Sequence, residues 1–142
     1  MRPLDPVAPD RPAGRPAPGD SVYRHRLSTR LWHWTNVVTF TILLMSGLMI
    51  FNAHPRLYWG QYGANPDPAW LAIEARDDKG LLRLGSLEIE TTGVLGLWHD
   101  PEGRLRERAF PWWATIPQGY SLAGARRWHL SFAWVFALGL AC

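Results

Sequence analysis

The chain of 142 residues holds a single cysteine, Cys142, at its last position. That excludes an internal disulfide and the Cys-x-x-Cys-His segment that attaches haem covalently. No Cys/His group has the spacing of a zinc site. The net charge is only +3, and the basic residues form no stripe interleaved with aromatics. A nucleic-acid partner is therefore not expected. Averaged over the chain, hydropathy is slightly negative, so the whole does not read as a membrane protein. The average hides segregation. Residues 31–51, "LWHWTNVVTFTILLMSGLMIF", contain no Asp, Glu, Lys or Arg.

Those 21 residues would extend ~31 Å as a helix, about one hydrocarbon core thickness. Ser28 stands just before them as an N-cap candidate. The expectation is a transmembrane helix over 23–52. A cleaved signal peptide would need a shorter apolar run and a small-x-small cleavage site, and "IFNAH" is a poor one. Before the helix, residues 1–22 hold a proline-rich stretch that reads as a disordered tail. Residues 53–120 are charged, balanced in sign and rich in Gly and Pro. "GLWHDPEGRLRERAF" contains Asp-Pro-Glu-Gly, a strong turn signal. Flanking alternation in "LRLGSLEIE" and "RLRERAF" suggests short strands, hence a small extramembrane module with a β-hairpin. Residues 121–142 read as the start of a second helix with Ser121 as its cap. From Trp128 onward 15 residues carry no charge. They cover only ~22 Å as a helix, so the expectation is a longer protein whose front part this is.

Between residues 11 and 30, before the first apolar run, stand five arginines (Arg11, Arg15, Arg24, Arg26 and Arg30), whereas Arg56 stands nearly alone after it. The positive-inside rule then puts the N-terminus in the cytoplasm. Arg126 and Arg127 argue the other way, but long loops translocate largely regardless of charge. The module is expected to face outward, in the periplasm of a bacterium, with the chain in the inner membrane.

One pattern occurs twice. "RLWH" spans residues 30–33 and "RRWH" spans 126–129, each at the entrance to an apolar run. Ionisable residues at such depth are costly and point to function, and a neutral imidazole ligates haem iron well. His33 falls near the inner face and His129 near the outer. Roughly 20 Å of a ~30 Å core separates them, so one iron cannot hold both. Arg30 and Arg126 each lie three residues before their histidine, on the same helix face, placed to pair with haem propionates. The His33 face continues through Asn36, Val37, Phe40, Leu44 and Gly47, and Gly47 would admit a flat macrocycle or a neighbouring helix. Arginine that snorkels and tryptophan in an interfacial belt explain either segment alone. On the residues alone, ligation and anchoring both stand. Metal binding is expected from neither His25, in a solvated basic stretch, nor His54 and His99, in the module.

"YRHRLSTRLWHWTNVVTFTILLMSGLMI" resembles the first helix of the bacterial cytochrome b561 and Ni,Fe-hydrogenase b-type cytochrome family. "ARRWHLSFAWVF" resembles the second. The resemblance implies a four-helix membrane cytochrome with two non-covalent b haems, which passes electrons between the quinone pool and a partner redox subunit. It implies one haem ligand from each of the first two helices and no substrate chemistry of its own. The long insert resembles the subgroup found with molybdopterin-dependent, sulfite-oxidase-like proteins. The fold class expected is thus an all-α membrane protein, a transmembrane helical bundle with a long loop. Metal ligands are expected at His33 and His129, and further haem contacts at Arg30, Gly47 and Arg126. The alternative is a membrane-anchored, outward-facing interaction module without haem. Trp59, Tyr62, Trp98, Trp112 and Trp113 are candidate contacts for the redox partner.

Overall fold

The computed structural model describes residues 26–60, 63, 64 and 66–141. The proline-rich tail, His25, Tyr62 and Cys142 lie outside the described residues. Helix α1 runs Leu27–Phe51 and helix α2 runs Leu122–Ala141. Of the two, α1 is long and apolar enough to cross a membrane; at ~1.5 Å per residue it reaches ~38 Å. Its N-cap position is Arg26, in extended conformation and without a side-chain cap bond. Ser28 therefore sits inside the first turn instead of capping it. Ser121 does cap α2: its hydroxyl accepts from the Gly124 N–H at 3.0 Å, which satisfies one of the orphan donors of the first turn.

The two helices pack side by side in opposite directions. Ser46 meets His129, Phe40 meets Phe136 edge to face at 5.0 Å, and the Trp32 ring lies over Gly139. Small or polar residues line the seam, with Thr39, Ser46 and Ala125 all buried. Small side chains let the backbones approach where lipid offers no hydrophobic drive to association. The outer faces stay apolar and open, with Leu31, Val38, Leu44, Leu130, Trp134 and Leu138 exposed.

Between the helices the chain is β-structure, which overturns the all-α expectation. Six antiparallel strands follow: β1 Arg56–Leu57, β2 Leu71–Arg76, β3 Lys79–Leu84, β4 Leu87–Glu90, β5 Gly96–His99 and β6 Leu105–Arg108. They form a four-stranded sheet in the order β1-β2-β3-β4 and a separate β5-β6 hairpin. The protein is mixed α and β, with two α-helices among the described residues and no clear helical bundle. Local chemistry explains the strands. Asp77 and Asp78 both take positive φ, +52° and +59°, as a two-residue hairpin turn requires, and Asp tolerates that region better than most residues. The hairpin expected around Asp-Pro-Glu-Gly is present: Asp100 N–H donates to the Arg104 carbonyl at 3.0 Å and Gly103 N–H to the Asp100 carbonyl at 2.9 Å.

The hairpin packs on the sheet over a small core of Ala69, Ala72, Ile73, Leu97, Trp98 and Ala109. Two glycines permit this. At Gly96, where φ is +78°, an added Cβ would lie 2.5 Å from the Glu74 carbonyl oxygen. At Gly80 it would run into the Leu95 carbonyl. The module is tied to the helices by Asn52, just past α1. Its Oδ1 accepts from the Phe110 N–H at 2.8 Å, while the Ile116 N–H donates to the Met45 carbonyl at 3.3 Å.

Candidate haem-ligand site

His129 stands two turns into α2, on the stripe that faces α1. Its ring is half-buried, and its Nδ1 lies 3.0 Å from Ser46 Oγ. The edge of the ring rests over Gly47, where an added Cβ would sit 3.6 Å from the imidazole Cε1. Among the described residues no group bonds to its Nε2. This nitrogen is the one with a lone pair left for a metal.

His33 is placed differently. It is exposed on α1, roughly 140° around the helix from Ser46 at ~100° per residue, at the flank of the face on which Phe40 meets Phe136. Its ring touches Trp34 edge to face, with centroids 5.7 Å apart. Among the described residues neither of its nitrogens has a hydrogen-bond partner. Because His129 sits level with Ser46, thirteen residues beyond His33, the two imidazoles are separated by roughly 20 Å along α1. Neither helix carries a second histidine. The residues fit one axial imidazole for each of two irons and cannot supply both ligands to one. Among the described residues no group of three or more His, Cys, Asp or Glu side chains is gathered to hold a metal ion.

Arg30 and Arg126 both lie within helix, one turn from their histidines and exposed. Among the described residues neither has an acidic partner. Gly47 neighbours the His129 ring, which places it with His129 and not with His33. His54 is engaged in the module instead, its Nε2 2.9 Å from the Tyr58 hydroxyl with the rings stacked. His99 is exposed on β5.

Just outside the α1–α2 seam, a groove of about 320 Å³ opens between the hairpin and the segment leading into α2; Asn52, Trp98, Arg106, Arg108, Trp112 and Tyr120 line it. The Arg108 guanidinium lies 3.7 Å from the centre of the Tyr120 ring. Asp100 holds the hairpin. It accepts from the Arg104 N–H at 2.8 Å and from the Arg104 and Arg106 guanidinium groups at 3.1 and 2.9 Å. Burial pushes its carboxyl up, but these bonds more than offset that and bring it down to about 2. The hairpin is thus built around a charged hub. Trp98, expected as a docking contact, is 6% exposed and donates its Nε1–H to the Arg108 carbonyl at 3.0 Å. It belongs to the core of the module. Trp59 and Trp113 are exposed and Trp112 is half-buried.

Sequence reading counted Ser46 only as part of the Ser-Gly pair in the family resemblance and gave it no role; only the approach of the second helix gives it a partner.

No curated protein and no solved structure matches the chain. The profile of the prokaryotic cytochrome b561 family does, over residues 24–142. That span contains both Arg-x-Trp-His segments and the β-module between them. Family members are membrane-associated electron-transfer proteins that typically bind haem b. With most of its length matched, the chain belongs to the prokaryotic cytochrome b561 family.

Proposed function

We propose that this b-type cytochrome passes electrons between the quinone pool and a redox protein on the outer side of the bacterial inner membrane, through two non-covalent haems. His33 would hold the haem near the cytoplasmic face and His129 the haem near the outer face. One observation carries the reading: the two imidazoles lie roughly 20 Å apart on antiparallel helices, each one turn from an arginine without a carboxylate partner among the described residues. Bound haem supplies reversible one-electron exchange at iron. The chain's own residues do the rest. Each imidazole offers one nitrogen. Arg30 and Arg126, one turn nearer the helix ends, pair with propionates at the interface. The apolar helix faces keep water from the iron.

The arginine bias places the N-terminus in the cytoplasm and the β-module in the periplasm. A reporter fused after residue 90 should then be active only outside; activity in the cytoplasm would swap the two haem positions. The groove above the helix seam and exposed Trp59 and Trp113 support docking of the redox partner, whose chemistry would be that of a molybdopterin-dependent, sulfite-oxidase-like protein.

The ligand assignment is tested by haem per protein, measured as pyridine haemochrome in membranes. His33→Ala and His129→Ala should each lose one haem and the double variant two. Two haems in the double variant would make the histidines incidental and favour an anchored interaction module.

A further inference from the structure

Ser46 is fully buried in the α1–α2 seam. Its Oγ lies 2.6 Å from the Ile42 carbonyl oxygen, 3.2 Å from that of Leu43 and 3.0 Å from His129 Nδ1. A serine hydroxyl has one proton and two lone pairs. Carbonyl oxygens only accept, so the short contact to Ile42 takes the serine proton. The contact to His129 must then run the other way, with Nδ1–H donating to Ser46 Oγ. That choice puts the imidazole proton on Nδ1 and the free lone pair on Nε2. Beside it, Gly47 gives the ring a flat seat, with Cε1 in ordinary contact distance of where a Cβ would stand. The ring is held at one nitrogen and along one edge, and the other nitrogen is left open.

We propose that Ser46 is the positioning residue for His129: its hydroxyl fixes the tautomer and the ring orientation that present Nε2 to haem iron. This rests on His129 being an axial ligand. Partners that accept from the non-ligating nitrogen orient a metal-binding imidazole and raise its basicity, and their loss typically costs roughly ten- to a hundredfold in metal affinity. A more basic imidazole favours the ferric state. Ser46 therefore holds the potential of the outer haem down, while His33, without such a partner among the described residues, gets no equivalent help.

The test uses the full chain in its native membrane, with haem content, redox titration of each haem and low-spin electron paramagnetic resonance. Ser46→Ala removes the hydroxyl and little volume. It should weaken affinity for the outer haem by roughly tenfold or more, read as faster haem loss from that site. In the molecules that retain the haem, the midpoint should rise by up to the 59 mV that a tenfold one-electron change corresponds to. The inner haem should not change. Ser46→Cys fills the space with a weak acceptor and should follow the alanine variant. Wild-type haem loss and midpoint in Ser46→Ala would overturn the proposal. So would full recovery in Ser46→Cys, since packing would then be the cause. His129→Ala separates this from the underlying reading: if it keeps both haems, the ligand assignment itself fails, whatever Ser46 does.

Discussion

Arg30 to His33 and Arg126 to His129 repeat one pattern in two different surroundings. At His129 a neighbouring helix is already in place: Ser46 binds the ring nitrogen and Gly47 underlies the ring edge. The His33 imidazole is exposed and has no hydrogen-bond partner among the described residues. The contact between the helices there is made by Trp32 on Gly139 instead. The same Arg-x-Trp-His pattern therefore does not guarantee the same site. Helical spacing sets an arginine one turn from each histidine, but the second contact of each ring depends on what packs against it.

The widest break between the two ends should come from Gly47→Leu. A branched side chain there must displace the His129 ring, so the outer haem should be lost and the inner one kept, read as one haem per protein by pyridine haemochrome. Gly47→Ala should be nearly silent, because its Cβ would stand 3.6 Å from Cε1. Equal loss of both haems in the leucine variant would mean that the two ends are not independent.

Gly139→Leu probes the other end. Any side chain at 139 meets the Trp32 ring, and overpacking of this kind costs roughly 1–3 kcal/mol. The thermal midpoint of the detergent-solubilised protein should fall while the outer haem remains. Loss of the outer haem instead would show that the Ser46–His129 contact depends on the far end of the seam.

Smaller effects are expected from the arginines. Exposed ion pairs contribute about 1 kcal/mol or less. Arg30→Ala and Arg126→Ala should each weaken retention of their own haem by at most about fivefold, measured by haem release to apomyoglobin. Loss as complete as in the histidine variants would promote these arginines from propionate partners to structural necessities.

The smallest effect at neutral pH belongs to the β-module. Because the Asp100 carboxyl is depressed in the folded protein, its contribution to stability is present above its unfolded value of about 4 and disappears as pH falls towards about 2. Proteolysis within residues 96–108 should accelerate over that window. Asp100→Asn should show faster cleavage already at pH 7 and no further step of this origin. A wild-type rate that does not change between those pH values would remove Asp100 as the hub of the hairpin.

Much of the helical part was legible. The uncharged run at 31–51 and the Ser121 cap announce helices because both signals are local. The Asp100–Gly103 turn was legible for the same reason, since Pro and Gly mark it at short range. In the four-stranded sheet the alternation of "LRLGSLEIE" marked β3 and β4, but β1 and β2 were not legible. "LAIEAR" in β2 is built from good helix formers, and its turn, Asp77-Asp78, lacks the glycine that usually marks a two-residue hairpin. Strand pairing with β3 and cover from β5 override those propensities. Trp98 read as a surface contact because aromatic composition says nothing about which face is covered.

By itself, the sequence determined that two histidines stand at the entrances of two apolar segments, each one turn from an arginine, because charge, hydropathy and helical spacing are properties of neighbouring residues. Only the tertiary structure decided that one of these histidines has a hydrogen-bond partner while the other has none among the described residues. Ser46 and His129 are 83 residues apart. No short-range rule connects them; the antiparallel approach of α2 along the small-residue seam of α1 brings the hydroxyl to the ring.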